Sequence, residues 1–277
     1  MLFGGQILKP WQTPREWLER VQEMAYTAVY FPVDHTAPDE VIDQFHALCG
    51  QEGLVIAEVG AWSNPLSSDP AIAKASLTTC IQQLKLADRV GAACCVNISG
   101  SLSNRWDGPH PDQLSQAVFD RVVAVVQHII DTAAPQNTDF TLELMPWMLP
   151  DSPESYLELI QAIDRPRFAV HLDPANIMCS PRACLDTAAV LNRCFDLLGP
   201  YIRSCHAKDI RLESQLTTHI NEVIPGQGSL DYRVFLQRLS QLGRPVPLMM
   251  EHLSSHDDVA AAARYIRGVA ATLELVL

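Results

Sequence analysis

The chain is predicted to fold as a single-domain α/β protein, a (β/α)8 TIM barrel spanning residues 1–277. Three observations carry this. Short apolar runs alternate with amphipathic helical patterns eight times along the sequence. The runs are continuously apolar, as expected of parallel strands buried on both faces rather than strands with one face in water. The length of 277 residues, without a linker, low-complexity tract or shift in composition, suits one barrel, whose usual size is about 250 residues. A doubly wound open sheet is the alternative arrangement of the same units.

The strand runs are Phe3 to Leu8, Ala28 to Val33, Leu54 to Val59, Cys94 to Ile98, Phe140 to Leu144, Phe168 to Leu172, Ile202 to Ala207 and Pro247 to Met250. Helix starts are marked by local chemistry. Thr13-Pro14-Arg15-Glu16 combines an N-cap, a proline at the first helical position and a capping-box glutamate. Trp17, Val21, Met24 and Ala25 then follow at helical spacing. Asp69-Pro70, Ser152-Pro153 and Ser180-Pro181 repeat the cap-then-proline signal. Pro38 to Cys49 reads as a helix ended by Gly50, and Asp231 to Leu242 as one ended by Gly243; Gln113 to Asp131 and Asp257 to Leu275 complete eight.

Hydrophobic residues make up 48% of the chain, too many for a disordered segment, and no apolar run reaches the length of a membrane span. The net charge of −12, with no run of Lys and Arg, argues against a nucleic-acid or anionic-membrane partner. It leaves room for a small substrate. The start, Met1-Leu2-Phe3-Gly4-Gly5-Gln6, has neither the basic residues nor the apolar segment of a signal peptide. The eight cysteines form no C-x-x-C pair and lie mostly in apolar stretches, which points to reduced, buried thiols and a cytoplasmic protein.

Four strand runs end on polar residues of a kind that is costly to bury. They are Thr141-Leu142-Glu143, Val170-His171-Leu172-Asp173, Ile202-Arg203-Ser204-Cys205-His206 and Leu248-Met249-Met250-Glu251. In a barrel the active site lies where the strands end, so Glu143, Asp173, His206 and Glu251 are expected to share one site. Alternation along a strand places Ser204, His206 and Lys208 on one face, and His171 and Asp173 likewise. Three carboxylates and one imidazole suit one divalent metal: manganese, magnesium, zinc or cobalt. Taken singly, each of the four reads equally as a helix cap or half of an ion pair.

Here the chain resembles the xylose-isomerase-like TIM barrel superfamily of sugar phosphate isomerases and epimerases, inosose dehydratases and endonuclease-IV-type proteins. The motifs that carry the resemblance are TLELMPW around Glu143, HLDPAN around Asp173, SCHAKD around His206 and LMMEHL around Glu251. The resemblance implies that Glu143, Asp173, His206 and Glu251 bind one divalent metal and that Glu143 and Glu251 also move protons. The family often has a His three residues after the Asp of the sixth strand. Here it is Asn176, which bonds a hydroxyl but moves no proton at neutral pH. The second strand often ends on Glu; here the chain reads Val33-Asp34-His35.

The expected activity is that of a metal-dependent isomerase or epimerase in carbohydrate metabolism. It would act on a small sugar, sugar phosphate or related polyhydroxy carbonyl compound, by proton transfer through a stabilised enediolate. The alternatives are an inosose-type dehydratase, an abasic-site endonuclease, which needs more histidines and a different charge, and a non-catalytic binding barrel. Asn176, Lys208, His171, Trp106 and Trp147 are the expected substrate-binding residues, with Glu58, Trp62, Asn97 and Ser99 also at strand ends. The loop Glu222 to Gly228 resembles the family's loop before the seventh helix, and otherwise reads as a surface turn. His252, His256 and His219 read as solvated loop histidines. A homo-oligomer is left open.

Overall fold

The computed structural model describes residues 1–277 as ten strands and nine α-helices. The strands are β1 (Leu2–Gly5), β2 (Ala28–Tyr30), β3 (Val55–Gly60), β4 (Cys94–Asn97), β5 (Asp139–Glu143), β6 (Phe168–Leu172), β7 (Ile202–Ala207), β8 (Asp209–Glu213), β9 (His219–Val223) and β10 (Pro247–Met250). Eight of them run parallel in the order β1-β10-β7-β6-β5-β4-β3-β2, and β8 pairs only with β9. The ring nearly closes between its two ends. Thr27 N donates to Phe3 O, and Phe3 N to Thr27 Oγ1, both at 2.9 Å. Gly4 permits this approach, because a Cβ there would lie 2.1 Å from Ala28 O. The protein is a TIM barrel, so the open-sheet alternative falls away.

The helices are α1 (Pro14–Glu23), α2 (Asp39–Gln51), α3 (Pro70–Val90), α4 (Gln116–Ala133), α5 (Pro153–Ile163), α6 (Pro181–Leu185), α7 (Thr187–Leu198), α8 (Tyr232–Ser240) and α9 (His256–Thr272). The N-caps do what the sequence indicated. Thr13 Oγ1 accepts from Glu16 N, Asp69 Oδ1 from Ala71 N, and Ser152 and Ser155 form a reciprocal capping box. Apart from the short α6, the helices turn apolar stripes inward, as α4 does with Val118, Val122, Val126, Ile129 and Ile130. No helix is long and apolar enough to cross a membrane.

Three expectations need correction. Gly50 lies inside α2, and the chain turns instead at Gly53, whose φ is +66°. The Ser180-Pro181 start opens only the five-residue α6; Asp186 then caps a separate α7, so there are nine helices rather than eight. The segment after His206 is not all loop, because β8 and β9 form an antiparallel hairpin standing on the end of β7. All eight cysteines are unpaired; seven are buried and Cys179 is exposed.

Candidate metal centre and cavity

The barrel interior is polar where the strands end. Glu143 ends β5, Asp173 follows β6, His206 is the penultimate residue of β7 and Glu251 follows β10. Their ligand atoms all lie within 4.8 Å of one another. His206 is wholly buried, and its Nδ1 lies 3.2 Å from Glu143 Oε1, 3.5 Å from Asp173 Oδ2 and 3.0 Å from Glu251 Oε2. Lys208, two residues further along the same face, brings its Nζ to 2.8 Å from both Asp173 Oδ2 and Glu251 Oε2 and 3.3 Å from Glu143 Oε1.

The charges explain one another. Burial would raise the pKa of Asp173 and of Glu251, yet Lys208 and His206 beside them hold both carboxyls below their ordinary range. Burial would lower His206 and Lys208, and the surrounding carboxylates raise both well above their ordinary values. Such a cluster is weak evidence for stability, since desolvation offsets much of the attraction; it is better evidence for a functional site.

The residues fit a divalent cation. Asp173 Oδ2 and Glu251 Oε2 are buried and accept no hydrogen bond of sound angle, although Lys208 Nζ is near. Three carboxylates and an imidazole nitrogen form a hard-to-borderline donor set. Behind His206 stands Glu58, from β3. Its Oε2 lies 3.4 Å from His206 Nε2, and its Oε1 lies 3.1 Å from His171 Nε2 and accepts from Ser204 Oγ. Burial would raise Glu58, but His171 and His206 hold it far below the carboxylate range. A carboxylate at the far nitrogen of a ligating histidine fixes that ring's tautomer and orientation. Glu58, His171 and His206 also bring ligand atoms together, but Glu58 Oε1 is already taken by two hydrogen-bond partners.

Two lobes of a cavity open above the cluster, of about 410 and 370 Å³, and share Trp62 and Glu251. The larger is lined by Glu143, Asn176 and Lys208 and by Trp106 and Trp147, four of the five residues expected to meet a substrate among them. Asn176 sits on a 3-10 turn (Ala175–Ile177), and its Nδ2 donates to Glu143 Oε1 and Leu144 O, both at 3.0 Å, so it also orients a carboxylate. Trp147 Nε1 donates to Asp107 O (2.8 Å), which ties the loop after β5 to the loop after β4. His171 departs from expectation. It is wholly buried, lines neither lobe and faces Glu58 and the His206 ring instead, because position 171 lies two residues deeper in the barrel than Asp173.

Asn97 also lies outside the cavity; its Oδ1 accepts from Ser63 N and braces the loop after β3. Sequence reasoning missed Arg105, Asp107 and His252 in the larger lobe and Gln6, Tyr30 and Gln83 in the smaller, whereas Glu222, from the loop that resembles the family's, does line the larger lobe. The sequence suggests a solvated loop residue at His252. It is half-exposed, yet it stands 3.0 Å from Glu222 and 3.5 Å from Glu251 at the cavity wall. Its position directly after Glu251 was the available signal.

The family model described as xylose isomerase-like TIM barrel matches residues 18–269. The chain belongs to this family. Among solved structures it is similar to a xylose isomerase-like TIM barrel protein from Mycobacterium smegmatis in complex with magnesium, with 18% identity, TM-score 0.69 and coverage of 98% of this chain and 91% of that one. It is similar to D-psicose 3-epimerase with D-tagatose from Clostridium cellulolyticum, with 14% identity, TM-score 0.69 and coverage of 98% of each chain. It is also similar to endonuclease IV from Thermus thermophilus, with 15% identity, TM-score 0.74 and coverage of 98% of this chain and 100% of that one. At these identities the likeness is one of fold. No curated protein matches the sequence.

Proposed function

We propose that this xylose isomerase-like barrel is a divalent-metal-dependent isomerase or epimerase of a small polyhydroxy carbonyl compound. Glu143, Asp173, His206 and Glu251 would hold the metal. The observation that carries the reading is the convergence of these four ligand groups, from four strands, at the floor of a tryptophan-walled cavity. A divalent ion there supplies Lewis acidity to a carbonyl and the hydroxyl beside it.

The chain's own groups do the rest. Glu143 and Glu251 face the larger lobe, and each stands beside Lys208. One carboxylate removes the proton on the carbon next to the carbonyl, and the other returns a proton. Return to the opposite face is epimerisation; return to the neighbouring carbon is isomerisation. Lys208 keeps the carboxylates charged and offers an N–H to a substrate oxygen. Asn176 holds Glu143 in place.

The test is hydrogen exchange in deuterium oxide with the metal-loaded protein and a panel of ketoses and keto acids. Exchange is expected with at least one ketose, and Glu143→Gln or Glu251→Gln should abolish it. Elemental analysis should show metal in the wild type and a large loss in His206→Ala. Equal metal in both would remove the ligand assignment; wild-type turnover in either glutamine variant would remove the two-carboxylate mechanism.

A further inference from the structure

We infer that the site takes an uncharged polyhydroxy carbonyl compound and turns away its phosphate esters and carboxylated analogues. This rests on the proton-transfer reading above and adds the substrate's charge to it.

In barrels of this class a phosphate commonly sits in the loops after the last two barrel strands, on backbone N–H groups and a helix N-terminus. The first place is already filled by an anion of the chain itself, and the second is capped by a serine and crowded by carboxylates. In the loop after β9, Asp209 Oδ2 accepts from Gly226 N (2.9 Å) and Gly228 N (3.0 Å), while Oδ1 accepts from Ile210 N (2.8 Å) and Leu230 N (2.9 Å). Asp209 is buried, and a Cβ at position 228 would fall 2.3 Å from its Oδ1. The glycine loop is therefore folded around an internal carboxylate, and its amides are spent. At the start of α9, Ser255 Oγ accepts from Asp258 N, and Asp257 and Asp258 occupy the first turn. Asp258 shares a surface hollow with Glu222 and His252. A phosphate there would meet carboxylates.

Each cation that lines the cavity is already paired with a carboxylate of the chain. The smaller lobe has no Lys, Arg or His among its lining residues but has Asp34, Glu58 and Glu251. In the larger lobe Lys208 is shared by three carboxylates, Arg105 is held by both oxygens of Asp107, and His252 lies against Glu222. The charges of Glu143, Asp173 and Glu251 would be balanced by Lys208 together with one divalent ion. Nothing is left over for a phosphate dianion, whose burial without a partner is costly. The walls offer aromatic surface instead. Trp62, Trp106 and Trp147 are 43%, 42% and 40% exposed and all line the larger lobe, which suits the C–H face of a neutral sugar.

The experiment pairs each neutral ketohexose with its phosphate ester on the metal-loaded protein, following deuterium exchange and quenching of the cavity tryptophans. Neutral sugars should quench and exchange, and their esters should be at least about a hundredfold poorer in kcat/KM, as like-charge contacts require. An ester exchanged as fast as its parent sugar would overturn the inference while upholding proton transfer. Exchange with no compound, but quenching by neutral sugars alone, would sink the proton-transfer reading and leave the charge preference standing. Ester quenching as strong as the parent sugar's, or quenching by neither class, would overturn it. The double variant Glu222→Gln, Asp258→Asn should gain ester binding by about tenfold; no gain would overturn the electrostatic exclusion.

Discussion

Glu58 shows how much a single buried residue can decide. It is almost wholly buried at the edge of the smaller lobe, and its carboxylate lies behind His206 Nε2 while also receiving His171 and Ser204. Glu58→Gln keeps the shape and removes the charge that orients the imidazole, so metal affinity should fall by about 10- to 100-fold. Calorimetric titration with manganese or magnesium checks this, and an unchanged affinity would reduce Glu58 to a packing residue. Cys179 is a second residue-scale case. The residue is exposed, but its Sγ is turned inward and donates to Asn176 O (3.1 Å), and burial of the thiol pushes its pKa up to about 11. The thiolate is the reactive form, so alkylation by iodoacetamide should be slow at neutral pH and rise about tenfold per pH unit toward that value. Rapid stoichiometric labelling of Cys179 at neutral pH would show that the sulfur is not held this way.

At the scale of elements, helix and strand are joined by specific polar contacts as well as by apolar packing. Tyr156 of α5 is wholly buried, and its hydroxyl lies within reach of Leu142 O (2.7 Å) and Ala169 O (2.8 Å), which share its one proton, while it accepts from Leu142 N (3.0 Å). It therefore anchors α5 over the two strands that carry Glu143 and Asp173. Tyr156→Phe should lower stability by about 1–3 kcal/mol, since buried backbone groups lose a partner. The measure is the shift of the urea midpoint, and a shift near zero would mean that the strand ladder alone satisfies them. Legibility in the sequence also varies by element. β6, β7 and β10 match their predicted runs residue for residue, and each is followed at once by a charged residue, Asp173, Lys208 and Glu251, that marks its end. β1 stops at Gly5 rather than Leu8, which is 40% exposed. The β8–β9 hairpin escaped notice because most of its residues are partly or fully exposed, and Ile210 with Leu212 alternates with charges over too short a span.

At the scale of the whole molecule, likeness of fold to endonuclease IV sets up a direct question about DNA. The net charge of −12 opposes the phosphate backbone. The metal-loaded protein should bind an abasic duplex only weakly at physiological salt and should not cleave it. Cleavage that disappears in His206→Ala would overturn this and move the chain toward nuclease chemistry. Dehydration of a substrate in place of exchange would instead favour the lyase alternative at the same site.

Local chemistry written in the sequence was enough for the class of fold, for most helix starts though not that of α7, and for the four ligand-type residues. Caps, proline positions and apolar runs act within a few residues of themselves, and each strand end carries its own polar residue. Only the closed ring decided which of those residues meet. Residues 58, 143, 171, 206 and 251 are far apart along the chain, and side-chain alternation alone does not say how deep in the barrel each one lies. Depth separates Asp173, at the cluster, from His171, two residues below it and turned onto Glu58. Tertiary structure likewise placed Lys208 among three carboxylates and closed the Gly226–Gly228 amides onto Asp209. These are electrostatic facts set by through-space distance, which the order of residues does not encode.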